Sequence, residues 1–459
     1  MSEERKQLTF FDLFTLGLGG AIGSGIFVLL SAGIAYTGRS IVVAVLGGCL
    51  IMLLAYFYNV LLSSMFVFRG GDYGQKAFLF GPYATGVSAM FSMIGGFGIA
   101  LYGLAMVEYA GIIFPLILPY KRLIGVLVIT LFFGATTRGA KFLSKINNVM
   151  TVILLTAIVA FIAFGLPQVK SGFFTGEDFL LNGPVGLFSA IAIMGWACQG
   201  TTMGPISVSS STKNPKRNIP LAILTITVCL GAIYGLMSMV ASGVLPLGEL
   251  EGQNLSSVSS QIFPSWVHIL FILGGGVFAI ATSLVTAITM LGEPIQQIAE
   301  DGWLPKVFLK RTAGGFPWVT RLLFYSLGVV PIILNFSLES IVSLIMVPTM
   351  LLNCYLNLKC METVKSHPRQ WQKSVLHMPK ILLNGVCLLA CGSNLFVAYY
   401  LFIELDVKTM VTIVGIIGIC LAGAFIQLKR GAVKPAILMA QREQIVREAL
   451  EGDEGEVVA

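Results

Sequence analysis

The sequence predicts an all-α membrane protein with twelve transmembrane helices, the first and sixth of which are broken near their centres. Three observations predict this fold class. The chain is 56% hydrophobic and 11% charged, with a mean hydropathy of +0.87, whereas soluble domains carry about 25% charged residues. Apolar runs long enough to span a bilayer recur along the chain. Two of these runs contain clusters of glycine, which weakens helices.

The transmembrane helices are predicted from the length of the apolar runs. A bilayer core of roughly 30 Å needs about 20 apolar residues in a helix. The first run lacks a small-residue cleavage site, so we expect a retained span rather than a signal peptide. The predicted spans are 13–37, 41–66, 84–117, 122–137, 146–166, 184–208, 219–245, 266–297, 320–337, 339–359, 381–404 and 408–428.

The distribution of basic residues predicts the orientation. With both termini cytoplasmic, 24 of the 29 basic residues fall on the inside, which the positive-inside rule favours. We therefore expect a multi-pass plasma-membrane protein with a cytoplasmic segment at 1–12, a transmembrane domain at 13–428 and a cytoplasmic tail at 429–459. This topology accounts for the net charge of +7 without a nucleic-acid partner. The five basic residues expected outside are Arg39, Lys121, Arg122, Lys170 and Lys408.

The first span contains the sequence GGAIGSGIF at 19–27. Each interior glycine costs a helix about 0.5–1 kcal/mol relative to alanine. A helix break in lipid releases backbone N–H and C=O groups, which need a partner from the protein or from a ligand. The first span is therefore predicted to break at a protein-enclosed cavity.

The sixth span is interrupted in a similar way, by QGTTMGP at 199–205. The two interruptions lie about five spans apart, so the two halves of the chain face opposite ways across the membrane. Interrupted spans at corresponding positions of inverted halves point to the substrate site of a transporter. Two unrelated kinks are the alternative, since glycine and proline are common in transmembrane helices.

Glu108 is the only acidic residue inside an apolar run and away from its ends. An ionisable residue in a membrane suggests proton coupling or a counter-charge for a cationic substrate. The alternative is a site near water, where Glu108 pairs with Lys121 or Arg122. In the eighth span, Ser283, Thr286 and Thr289 share one helix face and form a candidate cation site. Hydrogen bonds to their own helix are the alternative for these three hydroxyls.

Cysteine and histidine give no sign of a metal site or a catalytic site. Most of the eight cysteines lie in predicted spans without metal-ligand spacing, which indicates small buried residues rather than a disulfide framework. The three histidines are too scattered to form a catalytic pair, and the chain lacks a P-loop. We therefore expect no enzyme activity, no metal and no cofactor.

Four motifs carry a resemblance to a known family. They are GAIGSGIF at 20–27, GGDYGQKAFLFGP at 70–82, STKNPKRNIPLAI at 211–223 and AEDGWLPKVF at 299–308. Together they resemble the amino acid–polyamine–organocation superfamily. The resemblance implies a LeuT-like fold, with inverted five-helix repeats at about 13–166 and 184–359 and two further helices at 381–428. It also implies an amino acid site at the midplane, between helices one, three, six and eight.

Helix breaks suit an amino acid because free N–H groups bind a carboxylate and free carbonyls bind an ammonium group. We predict that Gly23, Ser24 and Gly25 present N–H groups to the carboxylate, and that Ile22 and the carbonyls of 199–202 take the amine. Gly25 is expected to let the ligand approach the backbone. The complete predicted substrate-binding set is Ile22, Gly23, Ser24, Gly25, Ile26, Gln199, Gly200, Thr201, Thr202 and Met203.

The chain departs from the family pattern at three places. Helix five has no lysine near Leu154, so the role of that lysine as a sodium substitute does not carry over. The sixth-helix break has Thr202 and Met203 where relatives have an aromatic lid, with Trp196 one or two turns earlier. Glu293 replaces an arginine that is frequent in relatives.

Taken together, the motifs and the paired breaks predict secondary active transport of amino acids by alternating access. Symport and exchange both remain open, with H⁺ or Na⁺ as the candidate coupling ion. A polyamine or cationic amino acid transporter is the nearest alternative, with Glu108 as the counter-charge. A nutrient sensor that binds without transport is a further alternative. The sequence does not indicate an oligomeric state.

Overall fold

The computed structural model describes residues 8–138, 140–249, 255–312 and 316–455. Within these ranges the regular structure is helical, and the only β pairing is an isolated bridge between Leu8 and Thr212. Ten helical segments of the described chain are long and apolar enough to cross a membrane. Two shorter apolar helices, Phe10–Ala21 and Trp318–Ile333, lie on the predicted first and ninth spans. The predicted all-helical membrane fold is confirmed.

The first five predicted spans all coincide with helices, and several of them are divided. Span one consists of α1 and α2, span two of α3 and α4, and span three of α6 and α7. A short helix, α5, occupies the predicted loop between spans two and three. The helices are α1 (Phe10–Ala21), α2 (Ser24–Thr37), α3 (Ile41–Ala55), α4 (Phe57–Met65), α5 (Gly71–Leu79), α6 (Pro82–Phe91), α7 (Gly98–Ile113), α8 (Lys121–Thr136) and α9 (Ala140–Gly165).

The remaining predicted spans also coincide with helices. Span six is α10 followed by a 3₁₀ turn at Gln199–Thr201 and then α11. The tail helix, predicted near 435–450, begins at Pro435 and continues to Gly455. The helices are α10 (Gly183–Cys198), α11 (Met203–Ser207), α12 (Pro215–Gly243), α13 (Leu255–Ile262), α14 (Ser265–Phe271), α15 (Phe278–Met290), α16 (Gly292–Glu300), α17 (Trp318–Ile333), α18 (Leu338–Ser366), α19 (Pro368–Gln372), α20 (Lys380–Ile403), α21 (Val407–Lys429) and α22 (Pro435–Gly455).

The first span breaks where the glycine pattern predicts. Helix α1 begins in a capping box, in which the Thr9 N–H donates to Asp12 Oδ2 at 2.8 Å. It ends at Ala21, and the Ile22 N–H closes the last turn on Leu18 O at 2.8 Å. Ile22 and Gly23 are non-helical, and α2 starts at Ser24 without a side-chain cap. The first backbone N–H groups of α2 therefore need partners from elsewhere in the protein.

The eighth span differs from the continuous helix that the sequence predicts. A π-helical segment at Ile272–Val277 separates α14 from α15, and a further bend at Leu291 precedes α16. The π segment contains three consecutive glycines. A Cβ atom on Gly276 would lie 2.2 Å from the Tyr109 ring, so the missing side chain permits close packing of helix eight on α7. π segments of this kind are frequent at functional sites.

The broken helices lie inside the bundle. Helix α10 packs against α2 and α3, α12 packs against α1 and α3, and α18 packs against α20. One cysteine expectation is wrong: Cys354 on α18 and Cys391 on α20 are disulfide-bonded, with Cα atoms 4.3 Å apart. The close face-to-face packing of these two helices brings the cysteines together, and their sequence spacing of 37 gave no signal of it.

Candidate substrate site

The two predicted helix breaks lie against each other. A Cβ atom added to Gly200 would be 3.0 Å from Ala21 Cα, and one added to Gly204 would be 3.1 Å from Gly17 Cα. Glycine on one helix therefore allows the backbone of the other to approach closely. The interruptions of spans one and six, separated by roughly 180 residues in the sequence, form a single structural unit.

Neighbouring helices satisfy part of the broken backbone. The Ser24 N–H donates to Ser283 Oγ at 2.9 Å. The Ala21 carbonyl accepts from the Tyr234 hydroxyl at 2.9 Å, and the Phe27 carbonyl accepts from the Tyr109 hydroxyl at 2.7 Å. These backbone groups at and near the break therefore have side-chain hydrogen-bond partners, as buried polar groups require. The backbone at Gly20 and Gly25 borders an empty space instead.

That space is a cavity of about 260 Å³ between the two breaks and helices two, three, eight and ten. Seven of the predicted site residues line it: Ser24, Gly25, Gln199, Gly200, Met203, Ser283 and Thr286. The cavity extends from the breaks toward the face of the bundle at which α1 begins, where α5 and the end of α15 form its walls.

The other predicted residues lie around the cavity without lining it. Ile22, Ile26, Thr201 and Thr202 are buried, and the Thr202 hydroxyl has no hydrogen-bond partner. Gly23 faces Ser283, because a Cβ atom there would lie 2.0 Å from Ser283 Oγ. The Thr289 hydroxyl donates to Val285 O and Thr286 O within its own helix, as the alternative interpretation expected. Of the three residues of the candidate cation face, Ser283 and Thr286 line the cavity and Thr289 does not.

The structure gives a second reason for glycine at position 25, which the sequence analysis did not predict. A Cβ atom on Gly25 would lie 2.5 Å from Ala197 Cα and 2.7 Å from Ala197 Cβ. Real Cβ atoms essentially never approach backbone that closely. Besides bordering the cavity, Gly25 lets α2 pack directly on α10.

Glu108 does not line the cavity. Its carboxylate forms an ion pair and a hydrogen bond with the Lys121 ammonium group. The side chains of the pair are about one-third exposed, 36% for Glu108 and 32% for Lys121. This contact with Lys121 is the one named in the alternative interpretation, and the role of Glu108 as a counter-charge for the substrate stays a prediction.

The sequence analysis did not find the polar cluster at the N-terminal-face end of the cavity. Tyr56, Asp72 and Lys76 all line the cavity, and the Tyr56 hydroxyl donates to Gln199 Oε1 at 3.1 Å. The signal for Asp72 and Lys76 was available, since an aspartate and a lysine four residues apart share a helix face. The spans predicted at 41–66 and 84–117 leave residues 70–82 in a loop, so the sequence analysis does not use this spacing.

A kink in span two positions Tyr56. Helix α3 ends at Ala55 and α4 begins at Phe57, which leaves the Ala55 carbonyl without its helical partner. Asn357 Nδ2 donates to this carbonyl at 2.9 Å and Asn394 Nδ2 donates to it at 3.1 Å. Two buried asparagines on α18 and α20 therefore stabilise the kink and turn Tyr56 toward the sixth-helix break.

A buried aromatic cluster packs around Phe27, in the first turn of α2. The Phe27 ring meets the Tyr109 ring edge-on at 6.1 Å and lies 6.0 Å from the Phe271 ring. Phe271 in turn stacks on Phe161 at 5.0 Å between centroids. These rings are buried and the Phe27 carbonyl accepts from the Tyr109 hydroxyl, so the cluster is closely packed next to the first-helix break.

The tail helix α22 rests on the same face of the protein as α5. Arg442 donates to Ala77 O from Nη2 at 2.7 Å and from Nε at 3.0 Å. Asp301 accepts hydrogen bonds from Gln441 of α22 at 3.1 Å and from the Tyr73 hydroxyl of α5 at 2.6 Å. Burial and the Asp301 charge raise the pKa of the Tyr73 hydroxyl well above its usual value, so that it remains a neutral donor. One carboxylate thereby joins α5, the end of α16 and the tail.

Potential metal ligands do not cluster in the described part of the chain, where no group of three or more His, Cys, Asp or Glu side chains could hold an ion. A multi-pass helical bundle in which two interrupted helices meet at a cavity defines a membrane transporter of the broken-helix class.

The chain belongs to the amino acid permease family, whose pattern matches residues 8–425. It is 25% identical to the methylthioribose transporter of Bacillus subtilis, with 83% of this chain and 87% of that protein covered. It is 27% identical to a branched-chain amino acid permease of the same organism, with 66% and 68% covered. It is 26% identical to the cadaverine/lysine antiporter of Escherichia coli, with 68% and 71% covered.

Proposed function

We propose that this protein is a secondary transporter of amino acids that works by alternating access across the plasma membrane. The observation that carries the proposal is the packing of the two helix breaks at one cavity. Family membership and the similarity to a branched-chain amino acid permease support the substrate class. The repeats predicted at 13–166 and 184–359 would rock or gate against each other around this site.

The substrate's charged groups would be held at the first-helix break. The N-terminal end of α2 favours a carboxylate, and the C-terminal end of α1 favours an ammonium group. Gly25 and Ser24 border the cavity at the first of these ends, and Gly20 and Ala21 border it at the second. Ser283 and Thr286 are the candidate ligands for a coupling Na⁺, and H⁺ is the alternative coupling ion.

With the N-terminus in the cytoplasm, as the basic residues predict, the cavity would extend toward the cytoplasm and the buried Phe27–Tyr109–Phe271 cluster would lie on the outer side of the first-helix break. This arrangement would correspond to the inward-facing state of the transport cycle. Opening the outer side would require breaking the hydrogen bond from the Tyr109 hydroxyl to the Phe27 carbonyl.

Uptake into proteoliposomes tests the proposal. Purified protein is supplied with labelled amino acids and polyamines, with and without a pH gradient, sodium and internal substrate. Uptake that needs internal substrate indicates exchange, and uptake driven by an ion gradient indicates symport. Gln199→Leu should impair transport, because Gln199 lines the cavity, while Thr289→Val should not.

Two outcomes would replace the proposal. Transport of polyamines or lysine alone would favour the cationic alternative, which the similarity to the cadaverine/lysine antiporter supports. Amino acid binding that raises the melting temperature, without flux of any compound, would favour a nutrient sensor. The absence of both binding and flux would refute the proposal.

A further inference from the structure

The Asp72–Lys76 ion pair is a feature of the cavity that the proposed function does not use. The two residues lie four positions apart on α5, and Lys76 Nζ is 2.5 Å from Asp72 Oδ2. The Tyr58 hydroxyl donates to the other carboxylate oxygen, Oδ1, at 2.7 Å. The side chains are only 7% exposed for Lys76 and 12% for Asp72. Both oxygens of Asp72 are therefore already occupied in a nearly dry site.

The pair makes the cavity electrically neutral. Asp72 and Lys76 carry the only formal charges among the described side chains that line it. A substrate with a charged side chain would need one partner for itself and would leave the other unpaired. An unpaired charge in a poorly hydrated site is strongly unfavourable, whereas a complete pair is tolerated.

The rest of the cavity suits an uncharged side chain. Much of its wall consists of large apolar groups, with Trp196, Ile345 and Phe91 on helices six, ten and three. Met290 and Leu291 continue the apolar wall at the end of helix eight. A cavity of about 260 Å³ with this lining has room for an amino acid whose side chain is removed from water.

We infer that the substrate is an amino acid with an uncharged, mainly apolar side chain, and that the Asp72–Lys76 pair determines this specificity by excluding cationic and acidic amino acids. The inference rests on the proposed function and narrows its substrate class. The pair acts through cancellation: each residue masks the charge that would otherwise attract a substrate of the opposite sign.

The wild-type protein provides the first test. Competition against uptake of labelled leucine uses probes of similar size: norleucine against lysine, which adds a terminal ammonium group to the same four-carbon side chain, and glutamine against glutamate. Because a charged probe leaves one buried charge unpaired, we expect each neutral probe to compete at least about tenfold more strongly than its charged counterpart. Equal or stronger competition by lysine would overturn the inference while leaving amino acid transport intact. If no amino acid is bound or transported, the proposed function itself fails.

Variants of the pair provide the second test. Lys76→Gln frees the Asp72 carboxylate, so the preference for norleucine over lysine should fall by about tenfold or more. Asp72→Asn frees Lys76 and should improve competition by glutamate relative to glutamine. The double variant Asp72→Asn/Lys76→Gln is neutral again and should regain the wild-type preference. Single variants that transport leucine with an unchanged preference for neutral over charged probes would refute the role of the pair in specificity. If a variant fails to fold, the competition experiment on the wild-type protein still decides the substrate class.

Discussion

The contact between Gly25 and Ala197 gives a sharp test of why the first-helix break needs glycine. In Gly25→Ala the new Cβ atom would lie 2.5 Å from Ala197 Cα, and ordinary contact begins at 3.4 Å. Helices α2 and α10 would therefore have to separate by about 1 Å. Overpacking of this kind costs about 1–3 kcal/mol, and the better helix propensity of alanine recovers at most about 1 kcal/mol. The net loss in the free energy of unfolding is then about 0–2.5 kcal/mol, and the contact with Ala197 backbone, which cannot move aside as a flexible side chain would, places our expectation in the upper half of that range.

Thermal unfolding of the purified protein, measured beside substrate affinity, checks this prediction. Gly19→Ala is the matched control, because its Cβ atom would be 3.9 Å from the nearest Thr151 atom and needs no rearrangement. The packing explanation predicts a lower melting temperature for Gly25→Ala only. If Gly25 served ligand approach alone, substrate affinity would fall while the melting temperature stayed at the wild-type value. A Gly25→Ala protein that matched both the wild type and Gly19→Ala in stability and transport would refute the reasoning.

Three further predictions concern single contacts. Ser283→Ala leaves the Ser24 N–H without its acceptor and should destabilise the protein by about 1–3 kcal/mol. Thr289→Ala, which removes only hydrogen bonds within its own helix, should have a clearly smaller effect. Thermal unfolding of both variants measures the difference. Glu108→Gln removes a partly exposed ion pair worth about 0.2–1 kcal/mol. Leucine uptake and the preference for norleucine over lysine should therefore not change. A selective gain or loss of lysine uptake would instead support Glu108 as a counter-charge for the substrate. Arg442→Ala removes both hydrogen bonds to Ala77 and should speed proteolytic cleavage within Pro435–Gly455. The exposed Arg447→Ala is the control. Equal cleavage rates for the two variants would show that the Arg442 hydrogen bonds do not hold the tail helix in place.

The positions of the helix breaks could be predicted from the sequence because glycine clusters act locally. Residues 19–27 and 199–205 contain poor helix formers inside apolar runs, and the structure breaks at Ile22–Gly23 and after Cys198. The sequence also predicted that backbone groups at these breaks have partners, because lipid offers no water to bind them. The identity of those partners did not follow, because Ser283 and Tyr234 are about 260 and 210 residues away from the groups they bind.

The interior of the cavity was harder to predict than its location. Trp196 and Gln199 are next to the sixth-helix break in the sequence, and both line the cavity. Asp72 and Lys76 reach the same cavity because α5 folds back under the bundle, where Tyr73 and Asp301 join it to the end of α16. No local signal in residues 70–82 indicates that return. The disulfide-bonded Cys354 and Cys391 were missed for the same reason.

The sequence by itself determined the membrane setting, the family and the two interrupted helices of this protein. Hydropathy, glycine content and short motifs are properties of neighbouring residues, and the solvent they imply acts on each segment separately. The tertiary structure alone decided which groups line the cavity and which do not: the Asp72–Lys76 pair of α5 reaches it, the Glu108–Lys121 pair lies away from it, and Gly25 packs on Ala197 beside it. These contacts depend on how distant helices pack, and side-chain packing and charge pairing across a bundle leave no periodic trace in the chain.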